Sequence, residues 1–335
     1  MSNDRIRRVT SADVAREAGL SRATVSYVLN DTPHQTIPEE TRQRVLAAAA
    51  RLGYAPSAAA RALRSGRSEL VLCLLPDWPM GAQVGEMLEH LSTSLARYGL
   101  TFVVHPRAGV GRPIAELWKA MTPAAVLAFD ELADDDVAGI RATGAAEVMV
   151  LLGRSRQGRR ELEMPQQRTG RLQVEHLAAA GHRQLGYAYP DDARLRVFAE
   201  PRLEGVRTAC ADLGLDEPVV QTVALDAESA AGAVDKWRCA DGPITAICAY
   251  NDEVALAVLA GMHRRSLAAP ADLAVIGVDD IPTARLATPP LTTIATEWTA
   301  VAQHLAETIV AVLAGAPEPP RPGSDIVDVV RRESA

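Results

Sequence analysis

The chain has 335 residues, nearly half of them hydrophobic, and a formal net charge of −7. That length exceeds what one core organises and suits a small domain joined to a larger, two-lobed one. No stretch approaches the roughly 20 uninterrupted apolar residues that cross a bilayer, and the opening MSNDRIRRVT lacks the apolar core of a secretion signal, so no membrane partner and a cytoplasmic location are expected. Cys73, Cys210, Cys239 and Cys248 show no metal-type spacing and sit mostly in apolar runs, and the histidines are scattered. The thiols therefore read as reduced core residues, and no metal or cofactor is expected.

Residues 13–30 read DVAREAGLSRATVSYVLN. Val14, Ala15 and Ala18 fall on one face of a short helix, and Val25, Val28 and Leu29 repeat that spacing on a second. Between them, Gly19 can end a helix, Leu20 can be buried and Ser21 can cap the next. This is the pattern of a helix-turn-helix, whose second helix lies in the DNA major groove. With its apolar residues turned inward, that helix presents Arg22, Ala23, Ser26 and Tyr27 near its start. Arg22 suits guanine O6 and N7, and Ala23 or Tyr27 suits a thymine methyl. Ser21, Thr24 and Ser26 suit phosphates, which fix register without reading sequence. The plainer alternative leaves Arg22 and Tyr27 as solvated surface.

A third helix follows, with Pro38 at its first position, Glu39 and Glu40 at its positive end, and Val45, Leu46, Ala49 and Leu52 as its apolar stripe. Gly53 ends it. Residues 56–64 form an alanine-rich helix with high propensity and little bulk to bury, capped by Ser57. Too short to be stable alone, it calls for DNA or the same helix of a second subunit. Residues 1–66 carry ten arginines and six acidic residues, a net +4, which leaves −11 for the remainder. A basic head on an acidic body is the asymmetry of a nucleic-acid module joined to a domain that repels DNA. Arg5, Arg7 and Arg8 either touch phosphates or form a solvated tail.

Past the linker at residues 65–68 the pattern alternates. Apolar strands are expected at 70–75, 101–104, 124–129 and 148–152, with a helix at 82–98. A second series has helices at 169–180, 201–213, 227–239 and 252–264, and strands at 185–189, 219–223, 246–249 and 273–278. Apolar strands alternating with helices make parallel sheets covered on both faces. Two such runs predict two doubly wound lobes, with ligands at strand carboxyl ends and in the cleft between lobes.

The segment from Val9 to Arg64 resembles the headpiece and hinge of the lactose-repressor (LacI) family of bacterial transcription regulators. The matching residues include Val9-Thr10, Asp13-Val14-Ala15, Ala18-Gly19-Leu20-Ser21, Thr24-Val25-Ser26, Val28-Leu29-Asn30, Thr41-Arg42, Val45, Leu52-Gly53-Tyr54, Pro56, Ala60-Arg61 and Leu63. Gly181-His182-Arg183, Arg202-Leu203-Glu204-Gly205, Tyr250-Asn251-Asp252, 275–280 and 290–294 extend the resemblance over almost the whole chain. It implies an all-α headpiece at 1–55, a hinge helix and linker at 56–67, and at 68–335 a two-lobed α/β, periplasmic-binding-protein-like domain for effector binding and dimerisation. By resemblance, paired hinges enter the operator minor groove and Leu63 wedges between base pairs, as apolar wedges that kink a duplex do. The alternative makes Leu63 the last apolar residue before a linker. The DNA-contact set is then Ser21, Arg22, Ala23, Thr24, Ser26, Tyr27, Asn30, Leu63 and Arg64.

Carried over residue by residue, Arg202, Asn251 and Asp279 fall where the family places polar groups on its effector. The chemistry suits a sugar: Asp accepts from hydroxyls, Asn donates and accepts, and Arg donates in a fixed fork. Surface ion pairing for Arg202, and turn or helix capping for Asp279-Asp280, are the structural alternatives. Arg196 is a further candidate. Two segments depart from the family pattern. Pro76-Asp77-Trp78-Pro79-Met80 replaces an Asn-Pro-aromatic loop, so Asp77 and Trp78 become candidate contacts, with Phe129 at another strand end. Met164-Pro165-Gln166-Gln167 replaces an Asp-Asn pair, so an expected pocket acid is missing. No glycine-rich phosphate loop, nucleophile elbow or zinc signature suggests an enzyme.

The reading is a repressor that binds a pseudo-palindromic double-stranded DNA operator as a homodimer, modulated by a small, sugar-like effector. The alternatives are a regulator with a vestigial pocket answering to a protein partner, or an enzyme domain fused to a DNA reader. The ending Arg331-Arg332-Glu333-Ser334-Ala335 carries no leucine-heptad helix, so tetramers of that type are not expected.

Overall fold

The computed structural model describes residues 9–29, 36–54, 68–107, 121–129, 132–145, 147–150, 160–161, 165–240, 242, 244–321, 323 and 326–335, with 147–150 and 160–161 by backbone alone. The predicted hinge helix at 56–64, and with it Leu63 and Arg64, lies outside these residues, as does Asn30. The chain divides into two compact units, residues 1–69 and 70–335.

Among its described residues the first unit holds three helices: α1 (Ser11–Ala18), α2 (Arg22–Leu29) and α3 (Glu39–Arg51). The Thr10 amide and hydroxyl both donate to the Asp13 carboxylate, at 3.0 and 2.7 Å, which closes the start of α1. Gly19, with φ +64°, ends it in the left-handed conformation that glycine adopts without a Cβ penalty. Val14, Ala15, Ala18, Val25, Val28, Val45, Ala48 and Ala49 form the shared core. Leu46, expected in that core, is exposed, and Ala48 is buried in its place. A small residue there lets the helices approach closely.

The second unit is α/β with two lobes. In the first, β1 (Leu70–Leu75), α4 (Ala82–Arg97), β2 (Thr101–Pro106), β3 (Ala125–Ala128), α5 (Asp134–Ala142), β4 (Glu147–Val150) and β5 (Arg160–Glu161) give a parallel sheet in the order β2-β1-β3-β4-β5. The strand period of two divides its residues between two faces. Val71 and Cys73 pack with α4, whereas Leu72 and Leu74 pack under Val137 and Ile140 of α5. With both faces covered, each fully buried Leu or Val contributes about 1.5–3 kcal/mol.

The second lobe comprises α6 (Gln166–Ala179), β6 (Leu185–Pro190), α7 (Arg196–Asp212), β7 (Val219–Val223), α8 (Ala227–Arg238), β8 (Ala246–Ala249), α9 (Asp252–Arg264) and β9 (Ala274–Ile276), with a parallel sheet in the order β7-β6-β8-β9. The helix expected from 201 begins at Arg196, with Pro201 inside it. Only one amide donor is lost there, and the flanking turns still pack. Trp237 is fully buried in this lobe, and its Nε1 donates to Val219 O at 2.8 Å.

Past β9 no helix or strand was expected, although residues 290–294 carry the family resemblance. The structure adds β10 (Thr293–Thr296), α10 (Trp298–Ala314) and β11 (Val327–Val330). Strands β10 and β11 pair antiparallel against the second lobe, while Val301, Leu305 and Ile309 of α10 enter the first-lobe core beside α4. The chain therefore passes between lobes three times: between β5 and α6, β10 and α10, and α10 and β11.

Two glycines set the seam between α6 and α7. A Cβ on Gly205 would lie 2.1 Å from Gln167 O, and one on Gly170 would lie 2.2 Å from Arg202 O. These helices touch backbone to backbone, which places Arg202 beside Gln166. Gly205→Val is expected to destabilise the second unit by about 1–3 kcal/mol through overpacking, read as a lower urea midpoint; an unchanged midpoint would show that the seam is not close-packed in solution.

Candidate functional site: a DNA-reading helix and a ligand cleft

In the first unit, Ser21 Oγ accepts from the Thr24 amide at 3.0 Å and lies 2.9 Å from the Thr24 hydroxyl. Ser21 thus starts α2 as an N-cap, a role that comes before any phosphate contact. Val25 and Val28 turn inward, and Ser21, Arg22, Ala23 and Tyr27 are exposed, with Thr24 and Ser26 half-buried. The exposed face of α2 thus carries the predicted base-reading side chains together. Arg44, which the sequence reading passed over, donates from Nη2 to Ala18 O at 2.7 Å and ties α3 to the end of α1.

In the second unit, polar groups collect beyond the carboxyl ends of buried strands, as doubly wound sheets require. Asn251 follows β8, and its Oδ1 accepts from the Val254 amide at 3.0 Å, capping α9. Asp252, next in sequence, was not singled out. It is fully buried, and its carboxylate accepts from the Thr293 hydroxyl at 2.6 Å and the Ile281 amide at 2.9 Å. Burial pushes its pKa up to about 7, helped by the nearby Asp279 charge and opposed by the Thr293 hydroxyl. A Cβ on Gly277 would lie 2.1 Å from Asp252 Oδ1, so the turn after β9 closes over this carboxylate only with glycine there.

That turn carries Asp279 with φ +107° and Asp280 with φ +49°, positive values that residues other than glycine seldom adopt. Burial pushes the Asp279 carboxyl up to about 6; the Arg202 charge opposes this and the Glu253 charge adds to it. Arg332 donates from Nη2 to Asp280 Oδ1 at 2.5 Å and from Nη1 to Leu291 O at 2.8 Å, bracing the turn from the far side.

Arg202 is buried. Its Nε and Nη2 donate to Gln166 Oε1 at 3.0 and 2.5 Å, its Nη1 donates to Tyr250 O, and its guanidinium lies 4.7 Å over the Tyr250 ring. Gln166 therefore partners the guanidinium from the segment where the family pattern has an Asp-Asn pair. Arg196 does not join it. That side chain pairs with Glu200 at 2.6 Å and lines a shallow groove with Tyr189, Arg207, Val220 and Thr222 on another side of α7.

From the first lobe, Trp78 lies edge-on to Phe129 at 5.9 Å and to Phe198 of α7 at 4.7 Å. Asp77 is 3.5 Å from Arg194, which also pairs with Asp192. Gln83, at the start of α4, donates from Nε2 to Asp279 Oδ2 at 2.9 Å. The lobes thus meet through Asp77, Trp78 and Gln83 on one side and Arg194, Phe198 and Asp279 on the other. Of the predicted contacts, Asp77, Trp78 and Phe129 lie at the contact between lobes, Asp279 meets the first lobe through Gln83, and the Arg202 charge acts on Asp279, whereas Asn251 is engaged in capping α9. Gln83, Phe198 and Arg194 were missed, because no local motif marks a residue that matters only through a contact across lobes. Among the described residues no group of acidic, His and Cys side chains could hold a metal ion.

Both raised carboxyl pKa values have a consequence for stability. An acid whose folded pKa lies above its unfolded value, near 4, binds more protons folded than unfolded, so stability falls as pH rises from about 4 through 6 and 7. Asp279→Asn is expected to flatten the part of that fall between about pH 4 and 6 in thermal melts. An unaltered profile would mean that the Asp279 carboxyl is not desolvated as the structure has it.

Residues 10–57 match the family described as bacterial regulatory proteins, lacI family, and residues 174–335 match a periplasmic binding protein-like domain. The transcriptional regulator MalR of Streptomyces coelicolor is 31% identical over 329 residues, covering 92% of this chain and 91% of that protein. A solved lac repressor dimer bound to operator and the anti-inducer ONPF is similar in fold, with a TM-score of 0.78, 23% identity, and coverage of 98% of this chain and 99% of that one. The structure of a transcriptional regulator CelR–cellobiose complex gives 0.63 and 24%, covering 98% of this chain and 100% of that one. No described helix is long and apolar enough to cross a membrane. The chain belongs to the lacI family of bacterial regulatory proteins: it is a DNA-binding transcription regulator, not an enzyme, with an effector-binding body.

Proposed function

We propose that this regulator represses transcription in the cytoplasm by binding a pseudo-palindromic operator as a homodimer, and that a small sugar-like molecule in the inter-lobe cleft sets its affinity for that operator. The observation that carries the DNA side is the exposed face of α2, where Ser21, Arg22, Ala23 and Tyr27 stand together over a core built from Val25 and Val28. Such a face lies in the major groove, and two headpieces match two half-sites. Arg22 reads a guanine, and Ser21, Thr24, Ser26 and Asn30 set register. Leu63 and Arg64 act at the operator centre, with residues 1–55 as headpiece, 56–67 as hinge and 68–335 as effector and dimerisation domain.

The homodimer finds support in exposed apolar side chains of the body. Leu286 is 76% exposed and Leu225 64%, areas that a second subunit can cover. The similar lac repressor was solved as a dimer on its operator. On the ligand side, Asp77, Trp78, Phe129, Arg202, Asn251 and Asp279 line or support the cleft, and the similar CelR was solved with cellobiose. Arg196 stays outside this set, held by Glu200 in the outer groove. Effector and operator are coupled through lobe arrangement and hinge spacing, typically by about 1–3 kcal/mol.

Selection of bound sequences from random duplexes is expected to return a pseudo-palindrome with a deformable centre; generic, steeply salt-dependent binding alone would sink the reading. Arg22→Ala should cost about 1–3 kcal/mol at one base position and relax specificity there, whereas a uniform loss over all sequences makes it a phosphate contact. Leu63→Ala should weaken operator binding while leaving the body's melting temperature unchanged. Leu286→Glu should shift the sedimenting species from dimer to monomer.

A further inference from the structure

One side chain in the cleft is half-used. Gln83 donates from Nε2 to Asp279 Oδ2 at 2.9 Å, so the amide of the first lobe holds the carboxylate of the second. Its Oε1 is buried and has no hydrogen-bond partner. A buried carbonyl left without a donor costs about 1–3 kcal/mol. Turning the amide over gives no relief, because it would aim the carbonyl oxygen at the Asp279 carboxylate. The amide folds over Gly81, where a Cβ would come within 2.3 Å of Oε1.

We propose that Gln83 selects the effector of this cleft: its free carbonyl, beside the Asp279 carboxylate, forms a subsite for a hydroxyl or N–H donor on a neutral ligand and rejects a phosphate or carboxylate at that position. This rests on the reading of the cleft as the effector site. Two acceptors side by side are satisfied only by a group that donates. The one donor of the pair, Nε2, is committed to Asp279, so an anionic oxygen placed there meets lone pairs from both lobes with no proton between them. A hydroxyl completes the pair without breaking the existing bond. Because Gln83 sits on α4 and Asp279 on the turn after β9, a hydroxyl bound to both ties the lobes together, and a ligand that binds one lobe arrangement better shifts the population toward it.

The test uses the full chain at neutral pH. Thermal melts are recorded with about 10 mM of glucose, galactose, ribose, maltose or cellobiose, and with glucose 6-phosphate, ribose 5-phosphate or gluconate, since a ligand that binds only the folded state must raise its stability. Titration calorimetry then gives Kd for each stabilising sugar with the wild type and with Gln83→Met, which keeps the length of the side chain and removes the amide. The expected result is stabilisation by at least one neutral sugar and by no anion, with Kd at least fivefold weaker in Gln83→Met. Stabilisation by an anion, by no member of the panel, or a Kd that rises less than fivefold overturns the proposal. Operator selection reads the regulatory function separately: operator binding with no sugar binding strikes this assignment alone.

Discussion

A parallel strand covered on both faces has no place for a charged side chain except beyond its end, and the second unit is organised by that constraint. Leu72 and Leu74 point one way and Val71 and Cys73 the other, and both sets are fully buried. Polar chemistry is therefore pushed to the carboxyl ends of β8 and β9, where Asn251, Asp252, Asp279 and Asp280 follow one another in space. Each is held by something else: Asn251 by the start of α9, Asp252 by Thr293 and Ile281, and Asp280 by Arg332. Of the four, only Asp279 is held from the other lobe, by Gln83.

Asp252 is the anchor of this arrangement. Its carboxylate is desolvated, which raises its pKa, and the Thr293 hydroxyl and Ile281 amide offset part of that cost. Those bonds define the turn that puts Asp279 at a positive φ, and Gly277 makes room for the carboxylate beneath. The seam of Gly170 and Gly205 works similarly on the other side, bringing α6 and α7 close enough for Gln166 to meet Arg202. The two polar centres of the cleft are thus set by glycine contacts rather than by their own flexibility.

Three chain crossings join the lobes, and α10 belongs to the first lobe although it follows the second in sequence. The lobes therefore cannot separate without moving several strands of chain together, so an effector that prefers one arrangement acts on the whole body. The headpiece, with its own core of eight small and branched residues, folds around contacts internal to residues 9–54.

The sequence by itself determined the elements and their chemistry. Spacing of Val14, Val25 and Val45 gave three helices around one core, Gly19 and Ser21 gave the turn, and apolar runs bounded by glycine gave most of the strands. Asn251 and Asp279 were legible through the family resemblance, and their places shortly after apolar strands agree with it. Tertiary structure decided the rest. Whether Leu46 or Ala48 faces the headpiece core depends on how closely α3 packs. Whether Arg196 or Arg202 turns to the cleft depends on where α7 begins, five residues before Pro201, which a local reading takes for a helix start. That α10 completes the first lobe, and that Gln83 and Phe198 reach across the cleft, depends on contacts between residues about 100 to 200 positions apart, and side-chain periodicity, which reports only near neighbours, carries no trace of them.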